Sequence, residues 1–367
     1  MNRKQLWMTV GVVLVACSLA AAERITTFNA PGAGTGAGQG TFAQGIDALM
    51  TIYGYYIDAS GVAHGFLRAN NGSFTTFEVS GAGTASGQGT FAFSLDPTGA
   101  LTGDYIDGSG VLHGYIRSDR GNITTFDAPG AGTSSGEGTL ALNINFEGTV
   151  AGYFSDVNNV FHAYLRGRNG DVTVFNAPGA GTGSGQGTGT AEDIGLNLEG
   201  VVTGAYIDSN NTLHGYVRAT DGTITSIDAP GAGTGPGQGT DVDGINLLGV
   251  IPGIYVDSNG VTHGFVRAPN GTFTDFDVPG AGTSPGQGTV PQGLNLEGAI
   301  TGSYIDASNV DHGFLRDPRG TITTFDAPGA GTGAGQGTFP LLNNLEGSIT
   351  GYDIDGNGVA HGFVGTP

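Results

Sequence analysis

One unit recurs seven times along this chain, and that repetition constrains the fold more than any local signal. The seven histidines are His64, His113, His162, His214, His263, His312 and His361, spaced by 49 residues except for one interval of 52. A small residue and an aromatic follow each, as in His64-Gly65-Phe66 and His162-Ala163-Tyr164. A Gly-Ala-Gly-Thr tetrapeptide also begins seven times, at Gly32, Gly81, Gly130, Gly179, Gly231, Gly280 and Gly329. The long interval carries its three extra residues near Thr190 to Glu192.

Each unit divides into four strand-sized pieces separated by turn signals. Asn197-Leu198-Glu199-Gly200 typifies the first turn, and only Met50 departs from its final glycine. Asp107-Gly108-Ser109-Gly110 typifies the second, with Asp first and Gly or Asn last in every copy. Asn169-Gly170 and Asn270-Gly271 mark the third. The pieces between are β-branched or aromatic, as in Ile322-Thr323-Thr324-Phe325, and no window carries a helical period. Four antiparallel strands per unit, repeated seven times, predict an all-β chain: a seven-bladed β-propeller of four-stranded antiparallel blades. A β-solenoid or stacked-sheet array is the competing architecture. Ile25-Thr26-Thr27-Phe28 reads as the last strand of a unit, and His361-Gly362-Phe363-Val364 as the third. The N-terminal strand is therefore expected to complete the last blade and close the ring.

The His-Gly-Phe-Leu core, preceded by Asp-x-Ser-Gly-Val and followed by Arg and a glycine turn, resembles the bacterial extracellular HAF-type repeat. Only His162-Ala163-Tyr164 keeps the alanine of that family's name; the other copies have glycine. The similarity covers residues 23–367 and implies a secreted, propeller-like repeat protein. It implies no substrate.

Arg3 and Lys4 precede an apolar run from Leu6 to Ala16, and Ala20-Ala21-Ala22 offers a small-residue cleavage site. Residues 1–22 thus read as a secretory signal peptide and 23–367 as the repeat domain, secreted or periplasmic. The competing reading is a lipobox, Leu14-Val15-Ala16-Cys17, with Cys17 lipidated. Removing 22 residues leaves 345, about 49 per unit, which favours the first. Cys17 is the only cysteine, so disulfides, thiol catalysis and cysteine–zinc sites are excluded from the domain. Lys4 is the only lysine, which excludes Schiff-base and P-loop chemistry as well. No other segment is long and apolar enough to span a membrane. With 32 acids against 12 bases and a formal charge of −20, nucleic acid is an unsuitable partner. Glycine makes up 71 of the 367 residues, and 32 of these lie in the seven copies of one loop, so the excess is turn chemistry rather than disorder.

The propeller topology puts the glycine loops on one face with the aspartate turns of Asp58, Asp107, Asp156, Asp208, Asp257, Asp306 and Asp355. Acids following the fourth strand, Glu78, Asp127, Asp228, Asp277 and Asp326, join them; Asn29 and Asn176 break the series. The other face takes Glu147, Glu199, Glu297 and Glu346, balanced in part by Arg68, Arg117, Arg166, Arg218, Arg267 and Arg316. The aspartates suit ordinary Asx turns or a hard-cation site. Asp353, Asp355 and Asn357 match the first half of a calcium loop, but Val364 stands where its bidentate Glu belongs. The histidines lie too far apart around a ring to share one ion, and a buried hydrogen bond repeated in each unit, to the Asp six residues earlier or to a neighbouring loop, is expected instead. The small residues of the glycine loops either simply let seven loops crowd at one rim, or their exposed amides form a repeated ligand site with Gln39, Gln88, Gln186, Gln238, Gln287 and Gln336, a set interrupted by Glu137.

Three functions follow. The first is a secreted, non-catalytic binding or surface scaffold, monomeric and multivalent for an extracellular carbohydrate or protein. The second is an extracellular hydrolase or lyase using acids of the acidic face, for which the unit-specific departures are Asp104, Glu137, Asp241, Asp243 and Asp353. The third is a cation-stabilised structural envelope protein.

Overall fold

The computed structural model describes residues 24–189 and 194–367. The signal peptide, Cys17 and the insertion near Thr190 to Glu192 lie outside the described residues. Among the described residues every regular element is a β-strand. Strand β1 spans Arg24–Phe28, β2 Gly40–Ile46, β3 Ile52–Ile57, β4 Ala63–Arg68 and β5 Phe74–Phe77. Strands β2 to β5 pair in chain order, each antiparallel to the last. The succession recurs through every repeat, and the final strand, Ala360–Thr366, pairs antiparallel with β1 from Arg24↔Thr366 to Phe28↔Gly362. The ring is closed, as the termini predict.

Neighbouring repeats are joined by a single parallel bridge. Ala63↔Gly89 makes one such junction, and Gly40↔Ala360 makes the one that closes the ring. Only glycine fits there. At Gly40 φ is +120°, and a Cβ would stand 2.0 Å from the Ala360 carbonyl oxygen.

The inner strands are not uniform. Among the described residues all the strands connect into one continuous sheet of thirty, not separate sets of four equal strands. The second repeat splits its inner strand into Gly89–Thr90 and Ser94–Leu95, and the fourth into Gly187–Thr188 and Gly195–Leu196. Four of the undivided inner strands carry a β-bulge. Pairing shifts between Ala43 and Gly45, Ala141 and Asn143, Pro291 and Gly293, and Pro340 and Leu342. An extra residue on one strand breaks the ladder locally and re-aims its side chain.

The aromatic after each His-Gly or His-Ala provides the core. Phe66, Tyr115, Tyr164, Tyr216, Phe265, Phe314 and Phe363 are all fully buried. Truncating such a ring to alanine costs about 3–5 kcal/mol. The threonine of Gly-Gln-Gly-Thr is equally buried, and its hydroxyl accepts a bond from the amide that opens the preceding loop, as Thr41 does from Ala30 at 2.9 Å. The arginines, expected to balance acids, lie over phenylalanine rings. Arg68 sits 4.6 Å from the centre of Phe28, and Arg117 5.0 Å from Phe77, each ring belonging to the repeat before. Where Ile227 replaces that phenylalanine, Arg267 turns to Phe273 of its own repeat at 6.0 Å.

Candidate functional site: a repeated rim and an asymmetric channel

At the rim, each turn aspartate is committed to its own turn. Asp58 Oδ1 accepts the amides of Ser60 and Val62 at 2.8 and 2.9 Å, and the other six aspartates repeat that pair of bonds, down to Asp355 with Asn357 and Val359. The last turn residue takes the left-handed conformation, with φ +81° at Gly61 and +58° at Asn159, which explains the choice of Gly or Asn. The glycine loop rests on two such turns at once. Gly34 N–H donates to Ile57 O of its own repeat, and Gly38 N–H donates to Gly358 O of the repeat before.

Each histidine joins two functional groups across this rim. In the second repeat His113 Nε2 lies 3.6 Å from Asp107 Oδ2, while Nδ1 meets Asp127 Oδ1 at 2.8 Å. His214, His263 and His312 repeat the arrangement with Asp228, Asp277 and Asp326, and His64 meets Glu78. Asn176 and Asn29 replace the second carboxylate at His162 and His361. The partner six residues earlier is the one the sequence suggests, but the rings are half-buried rather than buried, and all but His361 stack on a neighbour, as His113 does on Tyr105 at 4.9 Å. The second carboxylates are held yet exposed: Asp127 keeps 56% of its side-chain surface and Asp326 55%.

The recurring glutamines are consumed by their loops. Gly36 N–H donates to Gln39 Oε1 at 2.8 Å, and Gln39 Nε2 donates to Ala59 O at 3.2 Å. Gln88, Gln186, Gln238, Gln287 and Gln336 accept the equivalent amide, and Glu137 accepts that of Ser134 at 2.8 Å. Loop closure explains these residues without a ligand. Asp355 and Asn357 of the calcium half-loop are likewise engaged within their own turn. Asn357 turns its Nδ2 donor toward Asp355 Oδ2 at 3.3 Å, and no group of three or more His, Asp or Glu among the described residues is placed to hold a metal. Asp353 is fully buried, and neither carboxylate oxygen has a hydrogen-bond partner. It replaces the ring that stacks on the histidine elsewhere.

These carboxyls divide into two electrostatic groups. At Asp107 the Val111 amide holds the carboxyl below its usual range, helped by Ser109 and His113. At Asp58 burial pushes upward, but the amides of Val62 and Ser60 and the His64 ring reverse it. Burial instead raises Asp104 to about 8 and Asp311 and Asp353 to about 6. A lowered value stabilises above the ordinary carboxylate range and is lost as pH falls through the folded value. A raised value works in reverse, because the folded chain keeps a proton that the unfolded chain has released. Stability then declines as pH climbs from about 4 toward the folded value. Thermal melts across the pH range are expected to peak between about pH 4 and 6; a maximum near about pH 8 would contradict this assignment.

Inside the ring lies a channel of about 770 Å³. One residue from each repeat's inner segment lines it: Gln44, Phe93, Leu142, Ile194, Asp243, Gln292 and Leu341, of which Gln44, Leu142, Gln292 and Leu341 sit at the bulges. Unlike the rim, these positions change chemistry from repeat to repeat. One arc is aromatic. Phe339 stacks on Tyr352 at 5.1 Å, Tyr352 meets Phe42 at 5.1 Å, Phe42 stacks on Tyr55 at 5.1 Å, and Tyr55 meets Phe91 at 5.0 Å. Asp104 continues this wall across the ladder from Phe91, whose amide donates to its carbonyl at 2.8 Å. Asp243 and Asp311 line the channel from other repeats, and among the described residues no Lys, Arg or His does.

Sequence reading located the rim but missed the channel, although its departures Asp104 and Asp243 are both there. It also missed an apolar crown on the first turns. Phe146, Leu198, Leu296 and Leu345 are exposed by 38–52% at the residue after the turn's opening asparagine. Adjacent turns are tied together there, Asn145 Nδ2 donating to Asn197 O and Asn295 Nδ2 to Asn344 O, each at 3.1 Å. The signal was present in Asn-Leu-Glu-Gly, where the second position of a surface turn is apolar.

The architecture is a closed, all-β ring of repeated antiparallel strands with a central channel. No protein-family model matches the chain, and no curated protein matches it by sequence. Solved structures match by shape. A lectin from Burkholderia pseudomallei superposes with a TM-score of 0.57 over 86% of this chain and 92% of the lectin, at 10% identity. Puromycin hydrolase superposes with a TM-score of 0.51 over 87% of this chain and 51% of the hydrolase, at 12% identity. At these identities the likeness is one of fold.

Proposed function

We propose that this chain is a seven-bladed β-propeller of the HAF-type repeat class, working outside the cytoplasm as a non-catalytic, multivalent binding scaffold. The observation that carries the reading is the repeated rim. Five exposed carboxylates, Glu78, Asp127, Asp228, Asp277 and Asp326, are fixed in equivalent places by histidine Nδ1. A prepositioned carboxylate accepts hydroxyl hydrogen bonds, so the ligand class is a neutral polyhydroxylated polymer such as an extracellular polysaccharide. Equal weak sites gain avidity on a repeating ligand, whereas catalysis needs one asymmetric constellation. The ring fold shared with a lectin is compatible with this reading.

The test is a glycan array followed by titration with monomeric and polymeric forms of any hit. Polymer is expected to bind about 100-fold more tightly than the monosaccharide. Asp127→Asn alone should change affinity by less than about threefold, while changing all five acids to amides abolishes binding. Absence of any glycan hit, or loss of all binding on the single change, overturns the proposal.

A further inference from the structure

The rim repeats, but the channel does not, and that contrast carries a second site. Equivalent positions hold Tyr55, Asp104, Tyr153, Ala205, Ile254, Ser303 and Tyr352 in successive repeats, and all but Ala205 and Ile254 line the channel. A surface kept alike for seven equal contacts has no use for this variation, whereas a single ligand on the axis meets every repeat at once and can use each difference. In four repeats a bulge in the inner strand provides the means, since it turns an extra side chain inward.

The chemistry of the wall is specific. Tyr55 and Phe91 present adjoining ring surfaces 5.0 Å apart, and Asp104 lies directly across the ladder from Phe91. Asp104 is 3% exposed, and its Oδ1 has no hydrogen-bond partner. A buried carboxylate oxygen in that condition costs free energy unless a donor or a cation reaches it. Around the rest of the channel Asp243 and Asp311 add acids, and among the described residues no basic side chain lines it. Aromatic faces carry negative potential and attract cations, most strongly when water is excluded. An anion would meet carboxylates alone, and a neutral apolar body would leave Asp104 unanswered.

We propose that the channel is a one-per-chain binding site for a small organic ammonium ion, its charged head held between the Tyr55–Phe91 rings and the Asp104 carboxylate. The volume of about 770 Å³ accommodates such a cation with an apolar body along the aromatic arc. The site is separate from the rim, so either can fail without the other.

Isothermal titration calorimetry of the full chain at about pH 9, where the Asp104 carboxyl is ionised, tests it. The probes are choline, benzyltrimethylammonium and butylammonium, with 3,3-dimethylbutan-1-ol as the uncharged isostere of choline. At least one ammonium probe is expected to bind with a stoichiometry of one and about tenfold more tightly than the isostere. Asp104→Asn, which keeps the shape and removes the charge, should weaken that probe by about tenfold, and Tyr55→Leu by a similar factor. Asp127→Asn at the rim should leave it unchanged. No heat with any ammonium probe, equal binding of the neutral isostere, or full affinity in Asp104→Asn overturns the proposal. If Asp104→Asn melts early, Tyr55→Leu and the isostere comparison still decide.

Discussion

Replacing Asp353 with tyrosine raises the melting temperature by about 5 °C near neutral pH, the expected result of removing a buried charge and filling a gap together. Six repeats place a Tyr or Phe at this position, stacked on the histidine, as Tyr56 is on His64 at 4.8 Å. That ring lies beneath the opening glycine of the loop: a Cβ on Gly32 would stand 3.3 Å from the Tyr56 hydroxyl oxygen. In the last repeat a Cβ on Gly329 would meet nothing within 4 Å, so the space for the missing ring is open. Both oxygens of Asp353 lack hydrogen-bond partners, which costs about 1–3 kcal/mol, and burying a ring gains about as much again. The pH dependence separates the two parts. Burial pushes Asp353 to about 6, so the folded carboxyl holds its proton where the unfolded one has lost it. The gain should therefore grow as pH rises from about 4 to about 6 and stay level above that. Calorimetric melts of the two proteins at acid and neutral pH measure both parts. An unchanged or lowered melting temperature would show that the gap is not the size of a ring.

Deleting residues 24–28 has the larger effect, in the opposite direction. Strand β1 contributes five paired residues to Ala360–Thr366, and Phe28 lies under Arg68 and 6.0 Å from Phe74. Without it the last strand becomes an open edge, a template for pairing with other chains. The truncated protein is expected to lose more than about 5 kcal/mol and to associate at micromolar concentration. A peptide of residues 24–30 supplied in trans should restore the monomer by strand addition, which size-exclusion chromatography reads directly. A truncated chain that stays monomeric with an unchanged melt would mean that the ring holds without this strand.

Much of the rim was legible because its chemistry is local. An Asp followed three residues later by Gly or Asn is an Asx turn with a left-handed end, and the coordinates show φ of +62° at Asn211 and Asn309. The pairing of His113 with Asp107 spans only six residues. The partner fourteen residues away, Asp127, was recognised as a rim acid but not as the group that the histidine holds. Contacts between repeats were out of reach of pattern reading. Arg117 over Phe77 joins positions forty residues apart, and nothing around either residue announces the other. The channel was hidden by the bulge. An alternating pattern assigns each residue to one face, and the shift between Ala43 and Gly45 breaks that alternation where the inward residue is chosen. Asp104 could therefore be noticed as unusual without being placed. The uniform four-stranded units expected from the repeat failed at that point too, where two inner strands divide.

The pairing of Arg24 with Thr366 also has a consequence in time. Most other ladders join strands that are neighbours in sequence, and each can form as soon as its turn is made. Ring closure must wait for the last strand to be synthesised, and its loop-closure entropy is that of nearly the whole chain. Until then β1 remains unpaired while six repeats can already have stacked. The protein is thus an open, edge-exposing arc for almost all of its synthesis and a ring only once its final strand is available. Any factor that delays that strand lengthens the interval in which the arc can pair with another chain.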